Sequence, residues 1–315
     1  MKLFKAMRKI GSTAAKSPAL RSSPEITAWW VPAAVRPMFF SAASDAATLN
    51  GKLYPHPPLV FSRHIIVTVV GCGGTGAQVA LGLPYLHQAP LADGHPHGLR
   101  VFLIDGDTIT ETNCVRQPFA RSEIGLYKAV VLIHRLNLFW GLDWEAVPYF
   151  VKSGQDLPDS DFLVSCVDTR SARATLARIV GLKSRTFRYW LDAGNTSDRG
   201  QFLLGQPLRR DRRDREKRLP CVHELFPSII RARADERDRL PACSAAEAIA
   251  LQEPYLNSAL ANHMLALLAR LFRHGRITYH GGFINLATGQ VSALPVNPAI
   301  WARMRKASEK ERRLK

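Results

Sequence analysis

The chain has 315 residues, of which 46% are hydrophobic and 22% are charged. About 150 residues per domain gives one large or two modest domains, and this composition excludes a wholly disordered chain. No apolar run is long enough for a transmembrane helix, and no secretory signal is visible. We therefore expect a cytoplasmic protein that does not enter membranes and keeps its five cysteines as free thiols. The basic start is also compatible with an organelle transit peptide.

The net charge of +17 is concentrated in three segments. Residues 1–22 carry six basic and no acidic side chains, residues 209–218 carry seven and three, and residues 301–315 carry seven and two. Such segments could bind nucleic acid, but no aromatic residues interleave them. We therefore favour solvated basic segments over a nucleic-acid-binding surface.

Short apolar strands alternate with helical segments from residue 64 onward. Strands are predicted at 64–70, 99–104, 161–166, 188–193 and 200–205, and helices at 77–87, 123–138 and 171–180. This order is typical of an α/β fold with a doubly wound, mostly parallel sheet.

The remaining segments have other textures. Residues 1–60 form a basic arm that proline interrupts, residues 87–98 are predicted to be an inserted loop, and residues 207–242 a long crossover-like excursion. A helix follows over 244–272 and a hairpin over 277–295, which give the sheet a mixed C-terminal extension. We divide the chain into an N-terminal arm (1–60), a main domain (61–300) and a basic C-terminal tail (301–315).

A glycine-rich turn lies between the first predicted strand and its helix. Glycines at positions 71, 73, 74 and 76 allow a tight turn and let the backbone approach a phosphate. The helix that follows offers free N–H groups to that phosphate. In this strand–turn–helix context the pattern favours nucleotide binding over a purely structural turn.

Further polar residues follow the next strands. Asp105 comes directly after the second strand, where an acid commonly binds the ribose hydroxyls. Asn113, Arg116 and Lys128 come next, and a hydride-transfer site does not need them, whereas a triphosphate site does. Asp168 follows another strand and supplies a hard oxygen ligand suited to Mg²⁺.

In this order, Gly-x-Gly-Gly-x-Gly, Asp-x-Asp, Asn-x-x-Arg-Gln, Lys and the later Asp resemble the ThiF/MoeB/HesA superfamily of ubiquitin-activating-type adenylating enzymes. The stretches NLFWGLDW (137–144), LFP (225–227) and LFRHGR (271–276) are similar to the ThiF-family member of the bacterial PRTRC cassette. The resemblance covers about residues 64–298 and implies a Rossmann-like fold.

The resemblance further implies ATP-dependent adenylation of a carboxylate, typically the C-terminal glycine of a small ubiquitin-like (β-grasp) protein. It also implies a homodimer in which a partner arginine reaches the ATP. The roles that it implies for ATP are Gly71, Gly73, Gly74 and Gly76 at the phosphates and adenosine, Asp105 at the ribose, Asn113, Arg116 and Lys128 at the triphosphate, Gln117 and Arg173 as supports, and Asp168 at Mg²⁺.

The chain departs from its relatives at their cysteines. Many relatives carry two Cys-x-x-Cys pairs for a structural zinc, but here Glu224 replaces the second cysteine after Cys221, and no second pair follows. We therefore expect no complete zinc site, although an improvised Cys221/His223 site stays open. Cys243 precedes a predicted helix, where a thiolate is favoured, and matches a relatives' cysteine that accepts the activated acyl group. We favour a catalytic Cys243 slightly over an ordinary free cysteine.

Three other functions stay open at this point. Some members of the superfamily activate a carboxylate on a modified tRNA base, which the basic segments would suit. A non-catalytic binding module of the cassette would be expected to have lost Arg116, Lys128 or Asp168, and all three are present. A nicotinamide-dependent dehydrogenase is disfavoured by the same cations.

Overall fold

The computed structural model describes residues 63–182, 187–208, 218–231 and 253–314, with side chains to residue 309, and the backbone of Tyr54–Pro55. These residues belong to one unit that spans 48–315. The predicted arm over 1–60, apart from the backbone of Tyr54–Pro55, lies outside the described residues, as do the charged run at 209–217 and Cys243.

The described residues form ten strands and seven α-helices. The strands are β1 (Tyr54–Pro55), β2 (Ile65–Val70), β3 (Leu99–Ile104), β4 (Glu145–Val147), β5 (Phe162–Ser165), β6 (Tyr189–Asn195), β7 (Arg199–Gly205), β8 (Arg276–Ile277), β9 (Tyr279–Asn285) and β10 (Gln290–Pro295). The helices are α1 (Gly74–Ala92), α2 (Asn113–Arg116), α3 (Lys128–Trp140), α4 (Arg170–Val180), α5 (Val222–Leu225), α6 (Leu256–His274) and α7 (Pro298–Leu314).

Eight strands form one sheet in the order β10-β9-β7-β6-β5-β2-β3-β4. Strands β6, β5, β2, β3 and β4 are parallel, and β7, β9 and β10 extend the sheet in antiparallel fashion. The short strands β1 and β8 pair separately. The prediction of a mostly parallel sheet with a mixed C-terminal extension is therefore confirmed.

The chain changes direction across the sheet between β2 and β5. From β2 it proceeds through β3 to β4 at one edge, and then returns to β5 and β6 on the other side of β2. In such sheets ligands bind beyond the carboxyl ends of the strands at this switch point. The residues that follow β2, β3 and β5 therefore occupy the expected binding position.

The core consists of the apolar faces of the sheet and of its covering helices. In β2, Val67 and Val69 are fully buried, as expected for a strand covered on both faces. Helix α1 packs along α6. The predicted apolar stripe of α6 is buried throughout: Leu260, Met264, Leu267, Leu268 and Leu271.

Several boundaries differ from the sequence prediction. Helix α1 continues to Ala92, so half of the loop predicted over 87–98 is helical, and the helix contains Pro84 and Pro90. Both prolines are helical because Leu83 and Leu86 beside them are buried in the core, and tertiary packing outweighs the helix-breaking tendency of proline. Strand β4 has only three residues and no alternating pattern, and it was not predicted.

Residues 301–315, predicted to be a basic tail, form most of α7 up to residue 314. Trp301 is buried, and Ser308 Oγ donates a hydrogen bond to the Leu225 carbonyl oxygen at 2.8 Å. These two contacts attach the helix to the body, which composition alone does not reveal. No helix in the described part of the chain has the length and apolarity that crossing a membrane requires.

Candidate functional site

The glycine-rich turn joins β2 to α1 at the switch point. Gly71 has φ +91, and a Cβ there would lie 2.7 Å from the Cys166 carbonyl oxygen. A Cβ on Gly76 would lie 1.8 Å from the carbonyl oxygen of Gly71. These two glycines are therefore required by the packing of the turn against β5 and against itself.

The other two glycines lie at the start of α1. A Cβ on Gly74 would lie 2.3 Å from Asn257 Nδ2, whereas one on Gly73 would meet no described residue within 4 Å. Within the described part of the chain, no side chain caps the N-terminus of α1. The backbone at Gly73 is thus open to a ligand, and the first N–H groups of α1 can donate to a phosphate there.

Asp105 connects the ends of β2 and β3. Its Oδ2 accepts a hydrogen bond from Cys72 N at 2.5 Å, and its Oδ1 accepts one from Asp107 N at 2.8 Å. The residue is 8% exposed, and burial raises the pKa of its carboxyl. Asp105 therefore fixes the glycine-rich turn, and it lines the cleft beside that turn.

Two cationic side chains line the same cleft as the glycine-rich turn. Lys128 begins α3 and is buried, and its Nζ lies 3.1 Å from Asp107 Oδ2. Arg116 ends the short helix α2 and is half-buried. Beside it, Gln117 Oε1 is buried and has no hydrogen-bond partner within the described residues. Asn113 Oδ1 accepts from Thr110 N at 3.0 Å and so fixes the loop before α2.

Asp168 follows β5 and is exposed at the cleft. The loop that carries it is held from α4 by Arg173, whose guanidinium donates to the carbonyl oxygens of Val167 and Ala193, both at 2.9 Å. Arg173 Nε also pairs with Asp192 Oδ1 at 2.9 Å, and both side chains are buried. The resemblance names Arg173 as a support, and this geometry gives it that role.

A polar cluster at the start of α1 was not predicted from the sequence. Asn257 Oδ1 accepts hydrogen bonds from Thr75 Oγ1 at 2.9 Å and from Asn195 Nδ2 at 2.7 Å. The cluster therefore joins α1, β6 and α6 beneath the glycine-rich turn. Asn257 lies in a segment predicted to be an apolar core helix, so the only signal for it was a lone amide near the start of that helix.

One cleft of about 1760 Å³ brings these groups together. Its basic lining residues are Arg116, Lys128, Arg170, Arg173 and Arg199, and its acidic ones are Asp105, Asp107 and Asp168. Gly76 packs behind the turn and does not line the cleft. The predicted site residues that do line it are Gly71, Gly73, Gly74, Asp105, Asn113, Arg116, Gln117, Lys128 and Asp168.

Cys72 and Cys221 lie in the hydrophobic core, and Cys166 packs against it. Burial raises the pKa of the Cys72, Cys166 and Cys221 thiols, which favours the neutral form over a nucleophilic or metal-binding thiolate. Cys72 and Cys221 are fully buried. The predicted acyl acceptor, Cys243, lies outside the described residues.

An ion pair involves the segment from Cys221 to Glu224, which by sequence resemblance corresponds to the first Cys-x-x-Cys pair of the relatives. The Glu224 carboxylate pairs with the Arg218 guanidinium and also accepts from Cys221 N at 2.7 Å. These contacts hold Glu224 in the place of the second cysteine. Among the described residues no three His, Cys, Asp or Glu side chains are grouped as metal ligands.

The doubly wound sheet and the polar cleft at its switch point define the Rossmann-like class of α/β proteins. The model of the ThiF family matches residues 62–306. The chain therefore belongs to the ThiF family.

Solved structures with a similar fold are known. A structure of E. coli MccB with ATP is similar at a TM-score of 0.50 and 18% identity, covering 74% of this chain and 64% of that chain. One of E. coli MccB with SeMet MccA gives the same TM-score, identity and coverage. PaaA is similar at a TM-score of 0.48 and 13% identity, covering 73% of this chain and 64% of that one. No curated protein gives a significant match.

Proposed function

We propose that the protein adenylates a carboxylate with ATP, and that this carboxylate is the C-terminus of a small ubiquitin-like (β-grasp) protein. The observation that carries the proposal is the meeting of Arg116, Lys128 and Asp168 with the glycine-rich turn in one cleft. A nucleotide-binding turn alone serves many reactions, but two cations and a carboxylate beside it suit a triphosphate. Membership of the ThiF family supports the same chemistry.

The arrangement suggests how ATP is held. The open backbone at Gly73 and the first N–H groups of α1 bind phosphate oxygens. Asp105, one strand away, binds the sugar hydroxyls while it keeps its hydrogen bonds to the turn. Arg116 and Lys128, which line the same cleft, neutralise the triphosphate.

The reaction needs no nucleophilic side chain of the enzyme. An oxygen of the substrate carboxylate attacks the α-phosphorus of ATP and forms a new phosphorus–oxygen bond. The bond from that phosphorus to the bridging oxygen breaks, and pyrophosphate leaves with the electron pair. Charge develops on the departing pyrophosphate, and Arg116 and Lys128 stabilise that charge. Positioning of the two substrates supplies the rest of the acceleration.

The donor set also fits Mg²⁺. Asp168 offers an exposed carboxylate at the cleft, and within the described residues it forms no ion pair with Lys or Arg. Mg²⁺ is commonly held by one or two carboxylates together with substrate phosphates. When bound, it supplies further neutralisation of phosphate charge. Arg173 keeps the Asp168 loop in place through the Val167 carbonyl.

The E. coli MccB structures hold ATP in one case and MccA in another. The same division suits the present cleft, with ATP at the glycine-rich turn and the second substrate in the remaining volume.

We extend the proposal to a homodimer. After adenylation, the Cys243 thiolate attacks the acyl carbonyl, a thioester forms, and AMP leaves.

The test is ATP–pyrophosphate exchange with Mg²⁺ and each small protein encoded beside this one. Exchange should appear with one of them and disappear when its C-terminal carboxylate is amidated. Exchange that persists with the amidated protein would contradict a C-terminal substrate. C243S should retain exchange and lose the thioester, and a thioester formed by C243S at the wild-type rate would exclude Cys243 as acceptor.

A further inference from the structure

Two aromatic residues follow β4 at the edge of the parallel sheet. Tyr149 is 47% exposed and Phe150 is 58% exposed. Both line the cleft that contains the glycine-rich turn. The proposed adenylation step assigns them no role.

The Phe150 ring packs against Gly106, where only a residue without a side chain leaves room for it. A Cβ on Gly106 would lie 2.7–2.9 Å from three ring carbons of Phe150, so any larger residue would displace the ring. Gly106 directly follows Asp105, the residue placed at the sugar. The ring therefore lies against the backbone beside the sugar-binding carboxylate.

Local hydrogen bonds hold this aromatic segment. Tyr149 N donates to the Val147 carbonyl oxygen at 3.0 Å. Further on, Asp156 Oδ2 accepts from Lys152 N at 2.8 Å and from Ser153 N at 2.7 Å. Hydrogen bonds thus fix the segment after β4 both before and after Phe150. Tyr149 and Phe150 also border a side pocket of about 410 Å³.

The order of strands gives the direction in which a nucleotide extends. In the proposed function the phosphates bind at the end of β2 and the sugar at the end of the neighbouring β3, which Asp105 follows. The next strand in the same direction is β4. Two strand spacings are about 10 Å, which suits a nucleotide extended from its phosphates through the sugar to the base. The base then reaches the aromatic residues.

We propose that Phe150, supported by Gly106 and flanked by Tyr149, binds the nucleobase by stacking. This proposal rests on nucleotide binding in the proposed function and adds a specificity residue to it. An aromatic face binds through ring area and does not read hydrogen-bonding edges. ATP and GTP should therefore bind similarly, and both should bind more tightly than CTP.

The experiment compares the binding of ATP, AMP and inorganic tripolyphosphate by F150A, F150Y and the wild type. F150A should bind ATP and AMP about ten-fold more weakly, the size expected for loss of one stacking contact. It should bind tripolyphosphate within two-fold of the wild type (roughly the error of such a titration). F150Y keeps the ring and should bind all three as the wild type does. G106A should weaken ATP and AMP in the same direction by displacing the ring.

F139A is the matched control, since Phe139 is an exposed aromatic residue (80%) outside the cleft lining. Unchanged ATP binding by F150A, or equal losses of ATP and tripolyphosphate, would overturn the stacking proposal alone. A wild-type protein that binds neither ATP nor tripolyphosphate would overturn the proposed function as well.

Discussion

At the residue scale, the four glycines of the glycine-rich turn differ in why glycine is needed at each position. Gly71 and Gly76 have no room for a Cβ, and Gly74 is closed by Asn257, whereas Gly73 faces open space. A sequence pattern treats them as equivalent. The structure separates the glycines that shape the turn from the one that leaves room for a ligand.

This difference predicts opposite outcomes for two alanine variants. G76A should destabilise the fold by several kcal/mol, because its Cβ overlaps the Gly71 carbonyl oxygen. G73A should unfold at nearly the wild-type urea midpoint but bind ATP more weakly, because its Cβ enters the space beside the phosphates. Urea denaturation and ATP titration of both variants measure this. Wild-type ATP binding by G73A would contradict phosphate binding at this position.

His280 predicts a pH dependence of stability. It is fully buried on β9, Nδ1 donates to the Leu204 carbonyl oxygen at 2.8 Å, and burial lowers the pKa of its imidazole from 6.5 to about 4. As the pH falls, His280 is therefore protonated near pH 6.5 in the unfolded chain but only near pH 4 in the folded protein. Hence the contribution of His280 to stability is present at pH 7 and declines as the pH falls toward 4.

H280F removes this contribution. The loss of unfolding free energy between pH 7 and pH 5 should be about 2 kcal/mol smaller in H280F than in the wild type. Burial also lowers the pKa of other histidines, so the difference between the two proteins is the quantity to measure. H134F, which changes an exposed histidine, is the control. An identical pH profile for H280F and the wild type would refute the assignment.

At the element scale, one buried ion pair connects β5, β6 and α4. Arg173 of α4 pairs with Asp192 of β6, and Ser165 Oγ of β5 donates to Asp192 Oδ1 at 2.5 Å. Trp190 Nε1 donates to that hydroxyl at 2.7 Å. The network couples the Asp168 loop to the interior of the sheet, so its integrity affects both stability and the site.

R173M should destabilise the protein by about 3–5 kcal/mol, because Asp192 is left buried without a counter-charge. Burial already raises the pKa of the Asp192 carboxyl, and loss of Arg173 raises it further. Because the unfolded chain ionises this carboxyl at its ordinary pKa, the variant should lose more stability than the wild type as the pH rises from that ordinary pKa through the raised pKa of the folded state. Urea denaturation across this range measures both effects.

R178M, on an exposed position of the same helix, is the control. A loss in R173M no larger than in R178M would show that the pair contributes little.

The sequence predicted the regular elements better than the irregular ones. Strands such as β2 and β3 were found because buried β-branched runs have few alternatives. Strand β4 was not predicted, because Glu145–Val147 is too short to show an alternating pattern of apolar and polar residues. It forms a strand by pairing with β3. Helix α1 was predicted too short because proline was weighed without the packing of Leu83 and Leu86.

At the scale of the whole molecule, the sheet topology gathers side chains from distant segments. Asp105 and Asp168 were predicted from their positions after strands, and Lys128 from the positive charge that a triphosphate needs. The structure brings all three to one cleft. Asn257 and Phe150 were not predicted, since an isolated amide and an isolated ring have no spacing to recognise. Their roles depend on contacts with Thr75 and Gly106 that only the folded chain shows.

The most direct test of adenylation is ATP–pyrophosphate exchange in D168N beside D159N, with the small protein that supports exchange in the wild type. Asp159 lies exposed just before β5, and Asp168 just after it, so the two changes are alike in charge and differ in position. D168N should lose about 10²–10³-fold of the exchange rate, as when one electrostatic stabiliser is removed, while D159N keeps it. Wild-type exchange by a folded D168N would contradict the account.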